Sequence, residues 1–576
     1  MKETYPIQQE QKMLKHSAVD LPALSDSDAQ NTESPDAKQG HKSKMNELPD
    51  DLIAKEICST TEMQDGEMRE IEIENRKVLL IKSNGEFSAV GHLCAHYGSS
   101  LVNGVLSNGR IRCPKHGACF NIKTGDIEEF PSLDCLQSFK VDILNDKVIV
   151  SIRLKAFPSS KRTKAMISQS PKDKHVILII GGGPAAVICA ETLRQERYKG
   201  RIIIATKDQN LPYDRPKLSK ALNAKLENIL LRKPEFYSTH GIQVLTNKEA
   251  ISVNTAKRRV AFKDGTTQQY DFLLIATGSE PRVLSCPGVN LENVLRLRTL
   301  EDANKINELS VGKDVAIVGS SFIGMEIASY LANVAKSVSV IGTNEAPFQH
   351  LLGLEVSTAI MKAFEKEHVK FYMRDNVVEL RGENGLLKEV VLESRKVLPA
   401  DVCVMGIGVA PMTHFLKGSG INTNLKGSVV VDQYMRTNVA KVFAAGDITL
   451  FPLSMNNNKN VNISHWQMAH MQGRIAALNM LKRKIGIKTV PFFWTSFLGT
   501  SLRFAGHGAG YEEIIIHGDL LEMKFVVFYI KEDVVVAVAS MNYDPVVAQV
   551  AEVLASGQLI SKQEAEAVDM PWIKKI

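Results

Sequence analysis

Two short stretches of this 576-residue chain carry side chains able to hold a metal. LCAHYG holds Cys94-x-His96, and RCPKHGACF holds Cys113-x2-His116, with sixteen residues between the two pairs. Two thiols and two imidazoles in two loops point to a metal site on spacing alone. Tetrahedral zinc is one reading. Zinc patterns, however, pair cysteine with cysteine and histidine with histidine, whereas each loop here supplies one of each. A 2Fe–2S centre whose histidines bind one iron and whose cysteines bind the other needs that division. Gly98, Pro114 and Gly117 suit tight loops that turn backbone N–H groups toward cluster sulfurs.

With the Gly125-Asp126 turn that follows, these loops resemble Rieske domains over about Ala54 to Ile152. The first loop continues Tyr97-Gly98-Ser99-Ser100 and offers no partner for the additional disulfide of high-potential Rieske proteins. The resemblance therefore implies the low-potential, ferredoxin type, with Cys119 a buried free thiol. Lys115 stands where an aromatic is usual in that family, and it is expected to alter the cluster's potential or its docking surface.

A second chemistry begins at HVILIIGGGPAAVICAETLRQE, where an apolar β-branched run meets Gly181-x-Gly183-x-x-Ala186 and then a helical pattern. Strand, glycine turn and helix together make a dinucleotide-binding fingerprint. Glycine lets the backbone approach a pyrophosphate, and the helix N-terminus brings partial positive charge. After the next strand, RIIIA, Asp208 is the nearest acid for ribose hydroxyls. The unit recurs in KDVAIVGSSFIGMEIASYLAN, with Gly319-x-Ser321-x-x-Gly324. Ser321 replaces the middle glycine, where its side chain could crowd a pyrophosphate.

DFLLIATGSEPR, KVFAAGDI with Asp447, and LPYDRPKLSK with Arg215 and Lys220 complete a plan similar to the FAD/NADH reductases of the apoptosis-inducing-factor and ferredoxin-reductase family, over residues 175–576. A Rieske unit ahead of that reductase resembles the Rieske-containing branch of the family. The resemblance implies FAD on Gly181, Gly183 and Ala186, with Asp208 and Arg215 close by and Asp447 on the ribityl chain. It places Lys220 beside the flavin, paired with Glu326, which orients the nicotinamide of NADH (or NADPH) bound over Gly319, Ser321 and Gly324. It sets His465 and Trp466 against the flavin ring, although core packing explains Trp466 nearly as well. The strand SVSVIG ends at Gly342, where an acid for the nucleotide's ribose is expected. From Gly342 to Leu352 there is no Arg or Lys for a 2′-phosphate, so weak binding with a residual preference for NADH follows, and Gly342→Glu is expected to tighten it.

The fold class expected is multidomain. An all-β Rieske domain (49–153) follows a polar leader (1–48) that gives mitochondrial targeting little support. A linker (154–174) leads to an α/β two-Rossmann reductase of the pyridine-nucleotide-disulfide type. Its FAD-binding unit is split into 175–309 and 436–484 around an NAD-binding unit, 310–435. An α+β domain (485–576) closes the chain. The linker's length suggests domain movement and a flavoprotein half that folds alone.

No run approaches the ~20 apolar residues of a membrane span. A formal net charge of +6, with basic residues scattered, disfavours nucleic acid. Eight dispersed cysteines argue for a reducing, intracellular compartment. The resemblance alone suggests the mitochondrion, with the cytoplasm as the alternative, a link to apoptosis, and a monomer or nucleotide-linked dimer. A nicotinamide yields two electrons as a hydride whereas the cluster takes one, so flavin must mediate. The order expected is NAD(P)H to FAD to the cluster to an unidentified acceptor. The alternative is a redox-sensitive, pro-apoptotic interaction protein whose cofactors are mainly structural.

Overall fold

A computed structural model of the chain describes residues 52–153 and 161–576. The expected leader, 1–48, and residues 154–160 of the expected linker lie outside the described residues.

Period-two alternation builds the first unit. In Lys147–Arg153 (KVIVSIR) the inward face buries Val148, Val150 and Ile152. This strand belongs to a six-stranded antiparallel sheet, in spatial order Leu52–Ser59, Lys147–Arg153, Ser138–Leu144, Glu86–Gly91, Arg76–Ser83 and Met68–Ile73. A four-stranded antiparallel sheet runs Val105–Ser107, Arg110–Arg112, Cys119–Asn121, Ile127–Glu129. The first metal loop leaves the end of Glu86–Gly91, and the second connects Arg110–Arg112 to Cys119–Asn121.

The reductase repeats one construction twice. In the FAD-binding unit β1 (Val176–Ile180), α1 (Pro184–Gln195) and β2 (Arg201–Ala205) form the first βαβ unit. Its parallel sheet runs Ile242–Leu245, β2, β1, Phe272–Ile275, Val442–Ala444. The last strand comes from beyond the second unit, which is why this one is split in sequence. In the NAD-binding unit β3 (Asp314–Val318), α2 (Phe322–Leu331) and β4 (Ser337–Gly342) repeat the pattern. Its parallel sheet runs Val294–Arg296, Val402–Met405, β3, β4, Lys370–Met373. Parallel strands are covered on both faces, so β1 and β3 read as unbroken apolar runs. Helix α3 (Trp466–Met480) crosses α1 closely enough that a Cβ on Gly473 would lie 2.3 Å from the Ala185 carbonyl oxygen. The C-terminal unit is a five-stranded antiparallel sheet, edged by β5 (Phe492–Phe497), with α4 (Val546–Ala555).

Buried charge joins the Rieske unit to this last one. Arg112, 0% exposed, donates to Glu129 at 2.9 Å and to Glu552 on α4. Arg110 reaches Glu552 at 2.8 Å, across 442 residues of sequence. Burial opposes the Arg112 charge, but Glu129 and Glu552 outweigh it and hold its pKa well above the usual range. On the other flank Arg232 pairs with Asp134 of the Rieske unit at 2.7 Å and with buried Glu191 at 2.9 Å.

The described part of the linker is tied down as well. Arg162 and Lys164 both pair with Asp126, and the Ser168 hydroxyl donates to the Thr239 carbonyl at 2.7 Å. This part of the linker therefore contacts the Rieske unit at one end and the FAD-binding unit at the other. Sequence composition flagged a polar segment but could not show what it binds.

Removing one partner of a buried charge network strands the others. Glu552→Gln is expected to cost about 3–5 kcal/mol. The check is the urea midpoint for loss of cluster absorbance, which should fall well below that of the unaltered chain.

Candidate active site and cluster centre

The two metal loops share one geometry. Gly98 N–H donates to the Cys94 carbonyl at 2.9 Å, and Gly117 N–H to the Cys113 carbonyl at 3.0 Å. Both glycines take left-handed φ values, +77° and +75°, which a side chain would strain. The tight turn aims backbone N–H groups of His96 and Tyr97 at the Cys94 sulfur, and those of Lys115 and His116 at the Cys113 sulfur. Cys94 and Cys113 are buried free thiols in contact with each other. The His96 and His116 rings stand 4.9 Å apart, edge to face. Burial, and after it each one's charged or histidine neighbours, keep both imidazoles far below their usual pKa, His116 at about 3. Neutral imidazole is the form that binds metal.

His96 Nδ1 is buried without a partner. Among the described residues no three His, Cys, Asp or Glu side chains converge on one ion. A binuclear cluster takes two protein ligands on each iron, as the paired thiols and paired imidazoles here would supply. Cys119 is a buried free thiol. Lys115 pairs with Asp544 of the C-terminal unit at 2.8 Å, and Asp544 also pairs with Arg503 at 3.0 Å. The departure from an aromatic at Lys115 thus serves docking within the chain.

A cavity of about 1050 Å³ runs between the two Rossmann units and the C-terminal sheet. Gly181, Gly183, Asp208, Arg215, Lys220, Ser321, Glu326, Asp447, His465 and Trp466 all line it. A Cβ at Gly183 would meet nothing within 4 Å, which leaves room for a pyrophosphate. Ala186, Gly319 and Gly324 are not in its wall. Ala186 is core, and a Cβ on Gly324 would lie 2.0 Å from the Gly319 carbonyl oxygen, so these two glycines serve helix–strand packing. Ser321 is exposed and caps no N–H, so its side chain does not fill the turn.

Lys220 Nζ lies 2.7 Å from Glu326, a carboxylate only 5% exposed. Glu326 also accepts from the Ser219 hydroxyl and from Thr495 on β5. Asp208 accepts from Tyr213 at 2.9 Å and from Arg215 at 3.0 Å, so Arg215 braces an acid as well as lining the cavity. Ser279 donates to Asp447 at 2.7 Å.

Sequence reasoning missed three groups. Trp494 on β5 lines the cavity, and its ring lies 5.4 Å from His465, 4.9 Å from His116 and 5.7 Å from His96. One indole therefore touches both the large cavity and the histidines of the two metal loops. Arg298 also lines the cavity, and no acid pairs with its guanidinium among the described residues. Burial, then Arg215, lower its pKa to about 10, so it remains a cation suited to a pyrophosphate. Tyr97 stacks on His96 at 3.7 Å and donates its hydroxyl to buried Asp214 of the FAD-binding unit. No local motif marks these residues, whose neighbours come from other units.

Gly342 packs closely against Ser320 and Met373. A Cβ there would lie 2.5 Å from Ser320 Oγ, 3.0 Å from Ser320 Cβ and 2.9 Å from Met373 Cε. In the first unit the equivalent pair is reversed: Gly182 is the glycine, and its Cβ would meet Thr206. Each unit has space for one side chain at this spot, so Gly342 answers Ser320. Nor is the region without a cation, since Arg374 from the neighbouring strand end pairs with Glu345 at 2.6 Å. Gly342→Glu is expected to destabilise the chain by about 1–3 kcal/mol through overpacking, without tighter NADH binding, and Ser320→Gly should relieve it. Melting temperatures of the single and double variants, with flavin reduction at varied NADH, check this.

Residues 175–473 match the pyridine nucleotide-disulphide oxidoreductase family, 54–140 the Rieske [2Fe-2S] domain and 492–572 the reductase C-terminal domain. The chain is 52% identical to apoptosis-inducing factor 3 of Homo sapiens, over 91% of this chain and 89% of that one. Among solved structures, the ferredoxin reductase for the CYP199A2 system from Rhodopseudomonas palustris superposes with a TM-score of 0.67 at 26% identity, over 70% of this chain and 99% of that one. The reductase of a covalent putidaredoxin reductase–putidaredoxin complex gives 0.67 and 26%, over 70% and 98%.

Proposed function

Since the chain belongs to the pyridine nucleotide-disulphide oxidoreductases, in the Rieske-containing branch that includes apoptosis-inducing factor 3, we propose that it carries electrons from NADH through FAD to its own Rieske cluster and on to an acceptor. It is an NAD(P)H-dependent oxidoreductase whose cofactors are FAD and a 2Fe–2S cluster. Flavin supplies hydride acceptance and single-electron release, and the cluster takes one electron at a time.

The observation that carries this reading is Trp494, whose ring meets His465 of the flavin cavity on one side and both cluster histidines on the other. The seam charges hold that arrangement in place. Cys94, His96, Cys113 and His116 would hold the cluster. Gly181 and Gly183 would let the pyrophosphate approach, with Arg298 offsetting its charge, and Asp447 would accept from the ribityl hydroxyls. The Lys220–Glu326 pair would set the nicotinamide against the flavin. A putidaredoxin reductase has been captured covalently with putidaredoxin. In this chain the fused Rieske unit would take such a partner's place. The six cysteines outside the two cluster pairs are free thiols. No helix among the described residues is long and apolar enough to cross a membrane.

Stopped-flow absorbance with NADH tests the route. Trp494→Leu should slow bleaching of the cluster by on the order of tenfold while leaving flavin bleaching at its normal rate. Equal slowing of both would count against Trp494 as the link. Glu326→Gln should slow flavin bleaching itself by about 10²-fold, because Lys220 loses its partner and the nicotinamide its alignment. An unchanged rate would remove Glu326 from the hydride step.

A further inference from the structure

Charge is balanced on one side of the second metal loop and not on the other. On one side Arg110 and Arg112 face Glu129 and Glu552, two cations against two buried carboxylates. On the other, Lys115 and Arg503 share a single carboxylate among the described residues. Lys115 Nζ lies 2.8 Å from Asp544 Oδ2, and Arg503 Nε lies 3.0 Å from Asp544 Oδ1. Two cations on one carboxylate leave one positive charge in excess.

Strand register brings that charge to the metal loop. Arg503 belongs to Thr500–Gly506, which pairs antiparallel with β5 and sets Arg503 directly opposite Trp494. Directly opposed residues project from the same face of a sheet. On that face the Trp494 ring stands 4.9 Å from His116. Asp544 fixes the guanidinium from a second direction, because it also holds Lys115, which lies between Cys113 and His116 in the loop. Arg503 Nη1 donates to the Ser501 carbonyl at 3.2 Å, while Nε meets Asp544 as an ion pair without an aligned hydrogen bond. Burial lowers the Arg503 pKa, and Asp544 and then the Cys113 sulfur oppose that shift, so the sulfur lies within reach of its field. A guanidinium stays charged throughout.

Exposure decides which cation counts. The Lys115 side chain is 45% exposed, so water screens it. Arg503 is 4% exposed, where screening is weak and charge acts more strongly. In the flavin-to-cluster step one electron leaves the reduced flavin and enters the cluster, which then carries one more negative charge. A fixed cation nearby stabilises that more negative form. We propose that Arg503 raises the reduction potential of the cluster and thereby sets the driving force for electron transfer from the flavin. The proposal rests on the electron route given above. Arg503 comes from the C-terminal unit, so the cluster acquires its working potential only in the docked arrangement.

Potentiometric titration of the purified holoprotein, followed by the electron paramagnetic resonance of the reduced cluster, tests this. Arg503→Met should lower the midpoint by about 59 mV, equivalent to a tenfold shift of the electron toward the flavin. Asp544→Asn removes the carboxylate, leaves both cations and should raise the midpoint. Arg503→Lys keeps the charge and should stay near the unaltered value, and Lys115→Met should shift it less than Arg503→Met. A purely structural Arg503 would give Arg503→Met and Arg503→Lys the same midpoint. It would also move Arg503→Met and Asp544→Asn in one direction, since both break the same ion pair. Flavin and cluster absorbance report that each variant has folded. An unchanged midpoint in Arg503→Met, or shifts of one sign in Arg503→Met and Asp544→Asn, overturns the proposal. If Arg503→Met loses its cluster, the sign of the Asp544→Asn shift decides, and a fall or no shift overturns it. Failure of NADH to bleach the cluster in the unaltered chain would instead sink the electron route, while the midpoints would still decide the role of Arg503.

Discussion

Arg110, Arg112, Glu129 and Glu552 meet at a largely buried junction, and the relation between the metal loops and the large cavity depends on that meeting. A charge taken out of water is costly unless an opposite charge accompanies it. Arg112 and Glu552 are each 1% exposed or less, so neither tolerates loss of the other. Undocking the Rieske unit would hydrate these groups but would also expose Phe492, which packs against Gly117 so closely that a Cβ there would lie 2.6 Å from its ring. Charge and apolar packing thus favour the same docked arrangement.

Strand β5 shows how much that docking organises. Phe492 seats the second metal loop, Trp494 contacts both cluster histidines and His465, and Thr495 donates to Glu326. Three tasks fall on one edge strand because it passes between the cluster loops, the large cavity and the Lys220–Glu326 pair. Lys115 belongs to the same seam. Its pairing with Asp544 ties the second loop to the C-terminal unit, and Asp544 in turn pairs with largely buried Arg503.

The two Rossmann units show a compensation that sequence comparison position by position would miss. Gly182 faces Thr206 in one, and Ser320 faces Gly342 in the other. Read alone, Gly342 looks like a lost acid. In contact with Ser320 it is the residue that makes room. Close packing leaves space for one side chain per pair, and each unit fills it from the opposite partner.

Composition, periodicity and spacing determined the parts. Chemistry demands cysteine and histidine in each cluster loop, and those ligands lie close together in the chain, so their pattern survives without coordinates. The strand–glycine–helix fingerprints are local for the same reason: the turn, the pyrophosphate approach and the helix start occupy a few successive residues. The polar segment before Val176 was legible as a connection, but not as one pinned to Asp126 and Thr239. Only the tertiary structure brought Trp494 to His96 and His116, Glu552 to Arg112, and Arg298 to the flavin cavity. These contacts join residues from different units, and nothing in a stretch such as FFWTSF records which distant surface it will meet. A local pattern can specify a ligand or a turn because its geometry closes within one loop. The path between redox centres is set by how units pack, and that exists only once the chain has folded.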